Sequence, residues 1–160
     1  TREGKEVLGE EYGYISSADT SKDIDSPEYV KGCYFTGEEL EKKIKEKYSG
    51  FSIDEEITAE IKSTDSAGYV MEIQIGNQEF QGEEIRAILD LPSSCFTVQK
   101  LEGEIRFLCR GQGHGFGISQ YTVQQMALEG KKYEEILQYF FPELTIESLD
   151  GTEMESVREP

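Results

Sequence analysis

The sequence predicts an α+β fold in which helices pack on an antiparallel β-sheet made of hairpins. Apolar and polar residues alternate over residues 57–64 and again over 69–75, which is typical of half-buried antiparallel strands. Near the C-terminus the apolar residues recur instead at the spacing of one helix face. We therefore expect the strands to come first and a C-terminal helix pair, after a glycine-rich loop, to pack against them.

A single domain is expected over residues 29–149, because 160 residues suffice for one sizeable core but rarely for two. Hydrophobic residues make up 36% of the chain, so the composition is that of a folded protein. Residues 1–28 contain few apolar side chains and many turn formers, which favours an extended arm. Residues 150–160 are predicted to form an acidic tail.

The domain is predicted to begin with a strand over residues 29–35. The Thr36 hydroxyl and the Glu39 carboxylate then match a capping box, in which each side chain satisfies a free amide at a helix start. The helix that begins there should run to about residue 48. Its buried face is expected to contain Leu40, Ile44 and Tyr48.

The two alternating segments, 57–64 and 69–75, should pair as a hairpin around Ser66-Ala67-Gly68. A short strand over residues 78–80 follows them. It leads into a helix over residues 82–89 with its apolar residues on one side.

A second hairpin is predicted from residues 95–101 and 104–110. A two-residue turn at Glu102-Gly103 places one set of apolar side chains on a common face. That face contains Phe96, Val98, Ile105, Phe107 and Cys109.

The chain has three cysteines, Cys33, Cys95 and Cys109, and their spacing matches no zinc-ligand set. We therefore expect no metal and no cofactor. In the register just described Cys95 points away from Cys109, which favours free thiols. A three-residue loop would instead oppose these two cysteines and allow a disulfide.

The C-terminal part is predicted to form a helix over residues 118–129, ended by Gly130, and a second helix ended by Pro142. A last strand is expected over residues 144–149. The buried face of the second helix should contain Tyr133, Ile136, Leu137, Phe140 and Phe141.

Charge excludes several classes of partner. The chain has 16 basic and 33 acidic residues, which gives a net charge of −17. This charge would repel nucleic-acid phosphates and anionic lipid headgroups alike, so neither partner is expected. No apolar run approaches a membrane span, and the first residues are charged rather than signal-like, so no targeting signal is expected within this sequence.

The sharpest local feature is a run of four glycines at every second position, residues 111–117. Glycine loops often hold phosphates, but a dinucleotide fingerprint would require glycine at Phe116 or Ile118. The negative charge also argues against phosphate. Close approach of this backbone to some other ligand, or a simple turn, are the readings that remain.

The chain's single histidine, His114, lies in this loop between Gly113 and Gly115. Ser119, Gln120 and Tyr121 follow at a helix start and offer groups that hydrogen-bond sugar hydroxyls and N-acetyl groups. We predict that these six residues bind substrate; the alternative is that they only shape the scaffold. A serine hydrolase is disfavoured because Ser119 lacks the Gly-x-Ser-x-Gly elbow.

The segment Gly111-Gln112-Gly113-His114-Gly115-Phe116-Gly117-Ile118-Ser119-Gln120-Tyr121 resembles the C-terminal signature of the stage II sporulation protein D family, which includes amidase enhancers. Asp25-Ser26-Pro27-Glu28-Tyr29 and Phe80-Gln81-Gly82-Glu83-Glu84 occur in the order typical of that family. The resemblance covers about residues 12–149. It departs at Thr122-Val123, where the family usually has Gly-Ala.

This resemblance implies a lytic transglycosylase that cleaves peptidoglycan strands stripped of peptide, during engulfment of the forespore. A general acid would protonate the glycosidic oxygen, and the muramic acid's 6-hydroxyl would then attack the anomeric carbon to give an anhydro sugar. The implied partners are glycan strands and a cell-wall amidase or other engulfment proteins, and the implied location is extracytoplasmic.

The family's catalytic glutamate lies in an N-terminal segment that has no counterpart in this sequence, so no catalytic acid can be named. On this reading the chain supplies part of the glycan groove, and the missing segment of the same protein supplies the acid. The alternatives are a non-catalytic wall-binding or amidase-enhancer module, and an acidic interaction domain.

Overall fold

The computed structural model describes residues 1–53 and 57–147, and its mixed α+β architecture confirms the predicted fold class. Six strands form two three-stranded antiparallel sheets within this part of the chain. In chain order the elements are α1 (Gly4–Leu8), β1 (Val30–Thr36), α2 (Gly37–Lys45), β2 (Ala59–Thr64), β3 (Val70–Ile75), β4 (Gln78–Gln81), α3 (Gly82–Leu89), β5 (Phe96–Leu101), β6 (Glu104–Arg110), α4 (Gln120–Leu128) and α5 (Tyr133–Phe140).

The first sheet has the strand order β1-β6-β5 and the second has the order β2-β3-β4. In the β5–β6 hairpin Phe96 pairs with Cys109 and Val98 with Phe107, which confirms the predicted two-residue turn. The cysteines are free thiols, also as predicted, with Cys95 and Cys109 buried. The β2–β3 hairpin forms as expected, with register shifts near Ser63.

One hydrophobic core is shared by both sheets, α2 and α3. Phe107 packs edge-to-face against Phe35 and Phe96, with ring centroids 5.9 and 5.3 Å apart. Phe80 makes similar contacts with Tyr48 and Phe51 in the second sheet's half of the core. Each such pair contributes about 0.5–1.5 kcal/mol beyond the burial of its surface.

The predicted capping box is present at the start of α2. The Thr36 hydroxyl accepts from the Glu39 amide at 3.2 Å, and the Glu39 carboxylate accepts from the Thr36 amide at 2.9 Å. Leu40 and Ile44 are buried completely, whereas Tyr48 lies beyond the helix end and is half-buried. The cap and one apolar stripe therefore explain why this segment is helical and how it docks.

The apolar face of α5 is buried only in part. Ile136 and Phe140 are buried, but Tyr133, predicted to be buried with them, is 66% exposed. Tyr133 is the first residue of α5, and only the middle and end of this short helix pack against other elements. The predicted strand over 144–149 is absent at residues 144–147; its last two residues, like the acidic tail, lie outside the described residues.

Residues 1–28 do not form the extended arm that their composition predicts. They contain α1 and two 3-10 segments, Glu10–Tyr12 and Ser21–Asp25. The Gly4 amide donates to the Ile15 carbonyl at 2.7 Å, which folds the segment back on itself. Hydrogen bonds and the buried ion pair of Arg2 with Asp65 stabilise this segment. The hydrophobicity of the sequence does not reveal such polar contacts. The boundaries of the domain at residues 29 and 149 stay a prediction.

Among the described residues no helix is both long enough and apolar enough to cross a membrane.

Candidate functional site

The glycine loop, residues 111–117, connects β6 to the start of α4. Its four glycines all have positive φ, between +70° and +81°. The Gly111 amide donates to the Tyr29 carbonyl at 2.6 Å, and the Gly113 amide donates to the Pro92 carbonyl at 2.8 Å. Two backbone hydrogen bonds therefore anchor the first half of the loop. Glycine is needed at these four positions because other residues rarely adopt a positive φ.

His114 is exposed on this loop. Its ring stacks on Phe116, with centroids 5.8 Å apart and planes inclined by 25°. Its Nδ1 accepts a hydrogen bond from the Phe116 amide at 3.1 Å. Because Nδ1 is the acceptor, the neutral imidazole has its proton on Nε2, which is available to an external acceptor.

A buried arginine lies beneath the loop. The guanidinium of Arg2 is stacked between the rings of Tyr69 and Phe116, 4.7 and 4.5 Å from their centroids. It donates to the His114 carbonyl at 3.2 Å, and the Arg2 amide donates to the Gly115 carbonyl at 2.8 Å. Nothing in the sequence pattern identifies Arg2; only its partners, 63 and more positions away, reveal its place.

Two carboxylates hold the Arg2 guanidinium from the other side. Asp65 Oδ2 lies 2.6 Å from Arg2 Nε, with both side chains 2% exposed. Glu83 Oε1 lies 3.5 Å from the guanidinium and accepts from the Ser94 hydroxyl at 2.5 Å. Both carboxylates are therefore engaged in holding Arg2.

Tyr69 fills the space under Gly115. A Cβ on Gly115 would lie 2.8 Å from Cε1 of the tyrosine ring and closer still to its outer atoms. Burial raises the pKa of Tyr69 to about 12. The absence of a side chain at residue 115 thus lets the loop settle directly on an aromatic ring.

Ser119, Gln120 and Tyr121 lie where the loop enters α4. The Ser119 hydroxyl caps the helix, accepting from the Thr122 amide at 3.2 Å, and donates to Asp23 at 2.7 Å. Ser119 is therefore engaged in structure and is not hydrogen-bonded to His114 as a serine nucleophile would be. Gln120 is exposed and Tyr121 is half-buried.

The departure at Thr122 has a structural partner. Thr122 is buried, and its hydroxyl donates to the same Asp23 oxygen, at 2.7 Å, as Ser119 does. Asp23 belongs to the second 3-10 segment, so the N-terminal residues fasten the first turn of α4. The start of α4 therefore contains two side chains that stabilise the turn, Ser119 and Thr122, and one exposed side chain, Gln120.

Two cavities lie elsewhere on the protein, away from the loop. A cavity of about 710 Å³ lies near Thr36 and Leu101, and one of about 520 Å³ lies between Lys22, Met126 and Tyr139. No loop residue lines either of them. Within residues 1–53 and 57–147 no group of three metal-ligating side chains comes together. Substrate binding by the six predicted residues stays a prediction.

Comparisons with known proteins give one consistent result. No family model matches the chain. It is 33% identical to Stage II sporulation protein D of Bacillus subtilis (strain 168) and 29% identical to Stage II sporulation protein D of Bacillus amyloliquefaciens, each over 138 residues, or 86% of this chain. An uncharacterized protein of Brachyspira hyodysenteriae is 34% identical over 83 residues, 49% of this chain and 23% of its own length. The chain spans 39% of the length of the two Bacillus proteins.

Proposed function

Because this chain belongs to the stage II sporulation protein D-like family and is thus a sporulation protein, we propose that it acts on peptidoglycan as part of a lytic transglycosylase. In this role the chain binds glycan strands stripped of peptide. Cleavage proceeds by protonation of the glycosidic oxygen and attack of the muramic acid's 6-hydroxyl, which gives an anhydro sugar. The site is extracytoplasmic, where the cell wall lies.

The observation that carries the proposal is the exposed imidazole of His114 on a loop anchored from both sides. A preorganised hydrogen-bond donor loses little entropy when it meets a sugar hydroxyl. Because His114 is exposed, a long polymer can reach it without entering a closed cavity. Gln120, the first residue of α4, offers a second donor and acceptor.

We place the catalytic acid outside the residues of this site. Amides at helix starts and turns lower the pKa of Glu39, Glu135 and Asp19, and Asp65 and Glu83 are paired with Arg2. Since the chain spans 39% of its Bacillus relatives, we assign the acid to another segment of the same protein.

A second function needs no acid in this chain: a non-catalytic module that binds the wall or stimulates a cell-wall amidase. In that case glycan binding is retained, and the amidase or another engulfment protein becomes the partner. The two functions differ in the products released from glycan, so one assay separates them.

The test incubates denuded glycan with the chain, alone and joined to the remaining part of the protein, and searches for anhydro-muramic products by mass spectrometry. Products from the joined form only are expected. Glycan binding without products from either form supports the second function. Absence of glycan binding by both forms contradicts the two proposals and favours an acidic interaction domain.

Variants test the site itself. His114→Ala and Gln120→Ala should each weaken glycan co-sedimentation by roughly 3- to 10-fold, as expected for one hydrogen bond, and leave the melting temperature nearly unchanged. Gln99→Ala, an exposed glutamine on β5, is the matched control and should bind like the wild type. A large loss of thermal stability in both site variants would mean that these residues serve the scaffold instead.

A further inference from the structure

Arg2 is a buried charged side chain next to the glycine loop. Its side chain is 2% exposed and bonds to elements from distant parts of the sequence. Arginines are seldom buried unless they are paired, and burial of a charge is costly. Such a residue is expected to fix a structure that a less demanding residue could not.

Apart from Glu83 of α3, the partners of Arg2 divide into two groups. On one side lie Asp65, Tyr69 and Met71, which belong to the β2–β3 hairpin and its turn. On the other side lie the loop residues His114 and Phe116, reached through a carbonyl oxygen and a ring face. The guanidinium thus joins the second sheet to the loop that carries the histidine.

The same contacts determine where the imidazole points. The Phe116 ring rests on the guanidinium with one face and stacks with the His114 ring. The Phe116 amide holds His114 Nδ1, and the His114 carbonyl is held by the guanidinium itself. Arg2 thus contacts the His114 carbonyl directly and the His114 ring through Phe116, whose amide also holds Nδ1.

We propose that Arg2 is a positioning residue that orients the His114 imidazole, and fixes its Nε2–H tautomer, for contact with glycan. Because it is buried, Arg2 acts through the loop and does not touch the ligand. A lysine cannot replace it, since only the planar guanidinium can stack between two rings and donate in several directions at once. The proposal rests on the proposed function for its ligand, but the positioning itself can be measured without one.

The test uses His114 as its own reporter, because it is the only histidine in the chain. Removal of Arg2 alone would leave Asp65 buried and unpaired, so the variant is the double substitution Arg2→Met with Asp65→Asn. Arg2→Lys, which keeps the charge, is the second variant. Lys47→Met is the matched control. Lys47 also contacts a carboxylate, that of Glu84, and a ring, that of Tyr48, but it is exposed and is distant from the loop in sequence.

Long-range ¹H–¹⁵N spectra of the imidazole, recorded at alkaline pH, distinguish the two neutral tautomers. The wild type and the Lys47 control should show a single Nε2–H form, and both Arg2 variants should show mixed tautomers. Glycan affinity of the Arg2 variants should fall by roughly 3- to 10-fold, and His114→Ala should cause no further loss when added to them.

Wild-type imidazole spectra in folded Arg2 variants would overturn the proposal. Additive losses of affinity from Arg2→Lys and His114→Ala would overturn it as well. Changed spectra in a protein that binds no glycan would support the positioning of His114 and refute the proposed function, so the two failures are distinguishable. Far-UV circular dichroism establishes that each variant is folded before its spectra are compared.

Discussion

Gly115→Ala should destabilise the protein much more than Gly113→Ala, although the two glycines are alike in the chain. Both have positive φ, +80° and +81°, so alanine meets the same backbone cost at each, about 1–2 kcal/mol. At Gly113 nothing lies within 4 Å of the added Cβ. At Gly115 the added Cβ lies 2.8 Å from Cε1 of Tyr69 and closer to the ring's outer atoms.

The Tyr69 ring cannot move aside freely, because the Arg2 guanidinium is stacked against it. Forcing an extra carbon into such a packed site costs about 1–3 kcal/mol. We therefore expect a loss of about 1–2 kcal/mol for Gly113→Ala and of about 2–5 kcal/mol for Gly115→Ala.

Urea unfolding followed by far-UV circular dichroism measures both free energies of unfolding. At about 2–4 °C for each kcal/mol, thermal melts should also separate the two variants. Equal losses for the two alanines would refute the reasoning, because they would mean that the loop does not rest on the Tyr69 ring. A Tyr69→Ala background tests the clash itself, because the ring is then absent and the two glycine-to-alanine changes should cost about the same.

Phe140→Ala should cost about 3–5 kcal/mol, since Phe140 is 1% exposed, whereas Tyr133→Ala should cost less than about 0.5 kcal/mol at its exposed position; urea melts of both decide. Cys33, half-buried, should react with a thiol reagent well before Cys109, because burial covers Cys109 and raises the pKa of its thiol to about 12, and mass spectrometry of the alkylated peptides would show the order. The folded protein keeps the Tyr69 proton that the unfolded chain loses near pH 10, so the free energy of unfolding should fall between about pH 10 and 12, and less steeply in Tyr69→Phe.

The regular part of the fold follows from local patterns. The capping box at Thr36, the turn at Glu102-Gly103 and the alternation in β2 and β3 each act over a few residues, and the structure agrees with all three. The prediction that Tyr133 is buried is wrong. Helical spacing shows which residues share a face, but not how far along the helix the neighbouring elements cover that face.

The glycine loop of the site could be predicted from the sequence, but the buried residues that hold it could not. Four alternating glycines around one histidine identify the loop, since glycine at positive φ is a local requirement. Arg2 and Asp65 could not be identified, because a buried ion pair joins residues 63 positions apart and leaves no periodic signal. The roles of Ser119 and Thr122 as partners of Asp23 are hidden for the same reason.

The alternation of left-handed glycines gives the loop a division of labour between odd and even positions. The odd residues fix the path of the main chain, and two of the even ones, Gln112 and His114, are exposed. Substitution of Gln112, whose side chain donates to the Glu28 carbonyl at 3.4 Å, would therefore change the exposed surface while the main-chain path stays the same. The main-chain path of the loop is thus set by residues other than those whose side chains it presents.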